Sequence, residues 1–134
     1  MTTRGATNPG FKPGIRDTVV ATRKVDDIWL RESRENANYL GWRYVGTGNG
    51  VFRMTPGTLL AKSYDPTKQP WYHTAISNRG LVALTTPYMD AGGAGVVITA
   101  AHTLYYGKAD HVHHTNDQVM GVMGADFSLV YFHR

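Results

Sequence analysis

Beyond Tyr39 this 134-residue chain alternates large apolar residues with small or polar ones, and glycine-rich clusters cut the runs apart. Leu40, Trp42 and Tyr44 alternate with Gly41, Arg43 and Val45, the two-residue period of a strand. Gly46-Thr47-Gly48-Asn49-Gly50 turns the chain and Val51-Phe52-Arg53-Met54 returns, so the pair reads as a hairpin. Asp90-Ala91-Gly92-Gly93-Ala94-Gly95 repeats the device between a strand expected over Leu81–Tyr88 and another over Val96–Tyr105. A polar insert, 106–118, then leads into a last strand expected over Val119–Phe132. Strands joined by turns this short pair antiparallel, because a parallel partner needs a crossover of about a dozen residues.

Ahead of the strands, residues 1–16 hold Gly5, Pro9, Gly10, Pro13 and Gly14 with few apolar anchors, and read as a flexible lead-in. Residues 17–134 then form a single domain. Asp17 and Thr18 are placed to cap a helix over Val19–Asn36, with Val25, Ile28 and Trp29 inward and Arg23, Lys24, Arg31 and Arg34 in water. Pro70 suits the first position of a short connecting helix through Ser77, and Gly80 the left-handed position past its end. The fold class expected is α+β, an antiparallel sheet with the helices on one face.

Composition removes several functions. Fourteen Lys and Arg stand against ten Asp and Glu, but Arg31 and Arg34 are interleaved with Asp26, Asp27, Glu32 and Glu35. No basic stripe results, so nucleic acid is not an expected partner. The chain has no cysteine, which excludes disulfide scaffolds, thiolate metal sites and cysteine nucleophiles. No apolar run approaches the roughly 18 residues of a membrane span. The first ten residues lack the apolar core of a signal peptide, so a secreted or membrane-anchored parent would make this an excised piece.

Each candidate motif has a plain structural reading beside it. Gly46-x-Gly48-x-Gly50 is followed by a strand rather than the helix a phosphate loop requires, so it reads as a turn. His111, His113 and His114, with Asp110 and Asp117, are metal-capable, yet the segment is polar and bracketed by Gly107, Lys108 and Gln118. It reads as a solvated loop whose charge rises as pH falls toward about 6, and no metal or cofactor is expected. Ser33, Ser63, Ser77 and Ser128 have no nucleophile context, and Asp65, Asp90 and Asp126, able in principle to pair as acid and base, suit the capping of backbone amides. An enzyme is not expected. The run Tyr64-Asp65-Pro66-Thr67-Lys68-Gln69-Pro70-Trp71-Tyr72 can wall a pocket, with the amides of the helix start facing an anion and a later Asp receiving an amino group. Trp71 equally fits simple packing on the sheet.

Tyr64-Asp65-Pro66, Pro70-Trp71-Tyr72, Thr86-Pro87-Tyr88-Met89-Asp90 and the run from Gly121 to Leu129 together resemble a Cache domain, the extracellular PAS-like sensor fold, over about residues 39–132. Trp42-Arg43-Tyr44, Phe52-Arg53-Met54-Thr55-Pro56-Gly57-Thr58-Leu59 and Gly92-Gly93-Ala94-Gly95 resemble the branch found in alpha-2/delta calcium-channel subunits and in VWFA and Cache domain-containing proteins. The resemblance implies a PAS-like Cache fold on the extracellular side of a membrane-associated parent. It implies a non-enzymatic module for small-ligand binding or protein interaction in an auxiliary subunit that modulates voltage-gated calcium channels. The alternative it leaves is an amino-acid- or amine-sensing domain of a transmembrane receptor. Implied partners are a small amine or amino acid, the parent's other domains and the channel. Amino-acid-binding Cache domains place an Arg two residues before the Trp to clamp the ligand carboxylate, and an Asp in the last strand to hold its ammonium. Asp126 matches the second role, and Tyr64, Trp71, Tyr72 and Tyr88 match the wall. Position 69 is Gln, so the charged, two-pronged carboxylate clamp is missing. Asp126, held by strand backbone, is expected to stay ionised and attract an ammonium group.

Overall fold

The computed structural model describes residues 2–4, 14–32, 40–57, 59–91, 93, 95–106 and 118–129. The strands are β1 (Thr2–Arg4), β2 (Leu40–Thr47), β3 (Phe52–Thr55), β4 (Ala83–Leu84), β5 (Tyr88–Met89), β6 (Val96–Tyr105) and β7 (Val119–Ser128). The helices are α1 (Ile15–Ala21), α2 (Lys24–Glu32) and α3 (Pro70–Ser77), with a 3-10 turn at Pro66–Lys68. All strands belong to one antiparallel sheet ordered β1-β3-β2-β7-β6-β4, with β5 pairing beside β4 along the same edge of β6.

The hairpin, β6 and α3 lie where the sequence places them. Gly50 turns the hairpin at φ 94° and donates its amide to Thr47 O at 3.0 Å. Along β6 the odd positions Val97, Thr99, Ala101, Thr103 and Tyr105 are buried and the even ones are not, the alternation of a pleated surface. Pro70 opens α3, and Gly80 adopts φ 79° beyond its end.

Other expectations are corrected. The single helix over Val19–Asn36 is two helices, and residues 33–36 lie outside those described. Thr22 Oγ1 donates back to Thr18 O at 2.9 Å, and such back-bonding bends a helix where it competes with the ladder. Gly14, at φ 87°, precedes the first turn in place of Asp17, and Thr18 Oγ1 donates to Gly14 O at 3.0 Å. The lead-in expected over 1–16 supplies β1 at the sheet edge and the buried Ile15 of α1, while residues 5–13 lie outside those described. The strand expected over Leu81–Tyr88 is broken at 85–87. Pro87 has no amide to donate, and Thr85 Oγ1 accepts from Thr99 N at 3.0 Å where a backbone carbonyl would otherwise pair. The last strand ends at Ser128, with 130–134 outside the described residues, as is the histidine loop at 107–117.

The helices cover both faces rather than one. Tyr44, Phe52, Met54, Trp71, Tyr72, Ala75, Ala101 and Val122 form the core between the sheet and α3. Arg53, between Phe52 and Met54 on β3, points to the opposite face. There its guanidinium donates to Val19 O at 2.7 Å and Thr22 Oγ1 at 3.2 Å, fastening the end of α1 to the sheet.

A candidate amine site behind an aromatic wall

Gly124 decides the geometry of the site. It lies opposite Tyr44 across the β2–β7 pair, and a Cβ there would sit 2.5 Å from the tyrosine ring and 3.2 Å from Thr99 Cγ2. The bare glycine lets the Tyr44 ring cross β7 and bring its hydroxyl to Asp126, two residues further on the same face. Tyr44 donates to Asp126 Oδ1, and Thr99, directly opposite Asp126 on β6, donates to the same oxygen at 2.7 Å. The Tyr88 hydroxyl bonds that of Thr99, extending the chain of hydroxyls to β5. Asp126 is fully buried, and among the described residues its Oδ2 has no hydrogen-bond partner.

Burial pushes the Asp126 carboxyl up to about 7; the Tyr44 and Thr99 hydroxyls oppose the rise, and Asp90 beside it adds to it. The expectation was of an ionised carboxylate held by strand backbone; its hydrogen-bond partners are instead side-chain hydroxyls, and burial favours the protonated acid. Burial also raises Tyr88 to about 12, with the Asp126 charge adding to it, and raises Tyr44 and Tyr64.

The wall in front of this cluster is aromatic. Trp71 packs 4.7 Å from Tyr44 and 6.2 Å from Phe52, whose ring meets Tyr64 edge-on at 5.0 Å. Gly46 permits this: a Cβ there would lie 2.7 Å from both Pro66 and Trp71, so α3 and the 3-10 turn settle directly on β2. Tyr44, Met54, Leu60, Tyr64, Gln69, Trp71, Tyr88, Asp90 and Ala91 line a cavity of about 10 Å³, room for one water.

Of the residues expected at the site, Tyr64, Gln69, Trp71 and Tyr88 therefore come together, with Asp126 behind the Tyr44 and Tyr88 hydroxyls. Tyr72 does not line the cavity; one residue on from Trp71, it is turned about 100° around the helix axis and points toward Gly48. Gln69 spends an amide hydrogen on Asp65 O at 3.0 Å. The helix start offers little to an anion, since Pro70 has no amide and those of Tyr72 and His73 bond Gln69 O. Asp65 caps the 3-10 turn, accepting from Thr67 N at 2.9 Å and Thr67 Oγ1 at 2.7 Å. Sequence reasoning missed Tyr44 and assigned Asp90 no binding role. The glycine facing Tyr44 and the two-residue step from Tyr88 to Asp90 were the available signals.

Residues 2–129 match the model of the CACHD1 central domain. The chain belongs to this family. It is 37% identical over 133 residues to the VWFA and cache domain-containing protein CG16868 of Drosophila melanogaster, covering 95% of this chain and 9% of that protein. The CACHD1-type chain thus spans about a tenth of that relative. Among solved structures it resembles the ligand-binding domain of the Pseudomonas aeruginosa amino acid chemoreceptor PctB in complex with L-Arg, at TM-score 0.66 and 28% identity, covering 82% of this chain and 39% of that one. It also resembles the ligand-binding domain of the Pseudomonas fluorescens chemoreceptor CtaA in complex with L-leucine, at TM-score 0.55 and 31% identity, covering 68% and 35%. A PAS-like Cache fold, a sheet with helices on its faces, is thereby established for this CACHD1-type domain. Among the described residues no cluster of His, Asp or Glu is placed to hold a metal, and no helix is long and apolar enough to cross a membrane.

Proposed function

We propose that this chain is a ligand-binding module on the extracellular side of a membrane-associated VWFA and Cache protein, taking a small ligand through an ammonium group. The carrying observation is the fully buried Asp126, whose Oδ2 has no partner among the described residues, behind a wall of Tyr64, Trp71 and Tyr88. A buried acid with an unused acceptor is costly unless a cation or a proton occupies it. The likeness to amino acid chemoreceptor domains supports the same use of the fold. Gln69 supplies no full charge to a ligand carboxylate, so free amino acids bind weakly. Occupancy is read out through the parent protein, and by its resemblance to channel auxiliary subunits that readout is modulation of a voltage-gated calcium channel.

Calorimetry against a panel of amines and amino acids tests the binding. Gln69→Arg is expected to gain affinity for zwitterionic amino acids, since a charged hydrogen bond contributes roughly 1.5–3 kcal/mol against about 1 for a neutral one. Adding Asp126→Ala is expected to abolish that gain. A panel that binds neither the wild type nor Gln69→Arg refutes the reading. Current recordings from the channel co-expressed with the full-length parent, wild type against Asp126→Asn, test the second step; equal currents in the presence of a bound ligand refute it.

A further inference from the structure

The reverse face of the sheet carries a second opening, away from the aromatic wall. Across the strands Arg43 pairs with Ala125, Ala125 with Ala100, and Ala100 with Leu84, so one row of the pleat runs from a cation over two methyl groups to the outer strand. The next row holds Val45, Met123 and His102 in register. Side chains alternate between faces along a strand, which sets both rows opposite the face of Tyr44 and Asp126. Two alanines beside Met123 and His102 leave a trough, and Trp29, from α2, lines it. Of the described side chains of α2, Trp29 alone is buried. The groove has a volume of about 270 Å³, near the ~300 Å³ at which small-molecule sites begin.

Its chemistry is one-sided. Val82 and Met123 stand at its mouth, apolar and exposed to water. Among the described residues that line it there is no Asp or Glu, and Arg43, half-buried, brings a permanent positive charge. A guanidinium has five N–H donors, so it can hold a ligand oxygen alongside the contacts that Arg43 makes within the protein. His102 Nδ1 donates to Thr103 O at 2.7 Å, which holds its ring at the side of the trough.

We propose that this groove binds an unbranched monocarboxylate of medium chain length, its carboxylate on the Arg43 guanidinium and its tail lying across Ala125 and Ala100 toward Val82. A carboxylate matches the two-pronged donor geometry of the guanidinium, and its single charge matches a single cation. Register sets the length. Arg43 and Leu84 stand three strand spacings apart, about 14 Å, which an extended eight-carbon acid nearly spans. The groove shares no described lining residue with the cavity in front of Asp126, and amine binding there neither requires nor excludes it.

Calorimetry with sodium octanoate and with octan-1-ol, the same tail without the charge, tests the proposal on the wild-type chain. Octanoate is expected to bind one-to-one, with octan-1-ol roughly tenfold weaker for want of the charged hydrogen bonds. Shortening the acid from octanoate to pentanoate is expected to weaken binding about two- to fourfold per methylene. Arg43→Gln is expected to bring octanoate down to the affinity of octan-1-ol, and Ala100→Leu, which fills the trough, to abolish the binding of both. The Met123 methyl and Trp29 indole resonances locate the ligand on the wild type, so the outcome does not depend on either variant folding; both are expected to shift with octanoate. Octanoate that fails to bind at millimolar concentration, equal affinity for octan-1-ol, a flat dependence on chain length, or shifts confined to Met54 and Trp71 on the opposite face would each overturn the proposal.

Discussion

Replacing Asp126 with Asn should stabilise the protein at neutral pH while removing its ligand response. The carboxyl moves from an ordinary value of 3.8 in the unfolded chain to about 7 in the fold. Because the folded-state value is the raised one, the folded protein binds the proton more tightly. Stability from this group is then fully present below about pH 4 and is lost as pH rises through 7. At about 1.36 kcal/mol per unit, the three-unit shift costs about 4 kcal/mol by pH 7.5. Asn keeps an oxygen for the Tyr44 and Thr99 hydroxyls and places an amide where Oδ2 stands, beside Asp90. It cannot ionise, so that loss disappears. Urea denaturation of both proteins from pH 4.5 to 8 measures the effect, and titrating groups that do not interact with Asp126 cancel in the difference. The variant should gain on wild type as pH rises from 4.5 to 7, by a few kcal/mol in all, levelling above. Parallel stability profiles, or a variant less stable than wild type at pH 7.5, would refute the reasoning.

Gly124→Ala puts a methyl 2.5 Å from the Tyr44 ring, which Trp71 and Phe52 hold from the other side. It should cost about 1–3 kcal/mol in denaturation and abolish amine binding, because the Tyr44 hydroxyl leaves Asp126. Unchanged binding would show that the tyrosine does not orient the acid. Zinc at modest excess should leave the thermal midpoint unchanged, and His111, His113 and His114 exchanged together for Ala should change stability by under about 0.5 kcal/mol. A stoichiometric shift in the midpoint would contradict it.

What the sequence disclosed was mostly local. Pro70 through Ser77, Val96 through Tyr105 and the hairpin at Gly50 are specified by their own residues, and the structure has them there. Misses arose where a distant partner decides. Thr22 ends α1 partly because Arg53, on a strand far along the chain, takes up Val19 O and Thr22 Oγ1. The alternation that buries Tyr44 and Phe52 sends Val45 and Arg53 to the reverse face, both buried, so that face needed a cover of its own. The protonation of Asp126 depends on Tyr44, 82 residues away, and Thr99, 27 away, and no local pattern carries that.

The pocket and the fold make opposing demands on the same residue. A sheet centre this well packed would be more stable with Val or Asn at 126, since among the described residues one oxygen of the acid there has no hydrogen-bond partner. The wall over it consists of Leu60, Tyr64 and the chain at 90–91, while Leu59 beside it is almost wholly in water. β5 pairs with β6 at Tyr88 and Met89, and the Tyr88 hydroxyl ties it to Thr99. Behind Asp126, strands β6 and β7 are joined along most of their length. Under the proposed function, a cation reaching Asp126 would meet this wall first, with the Pro66–Lys68 turn held against β2 through the fully buried Pro66.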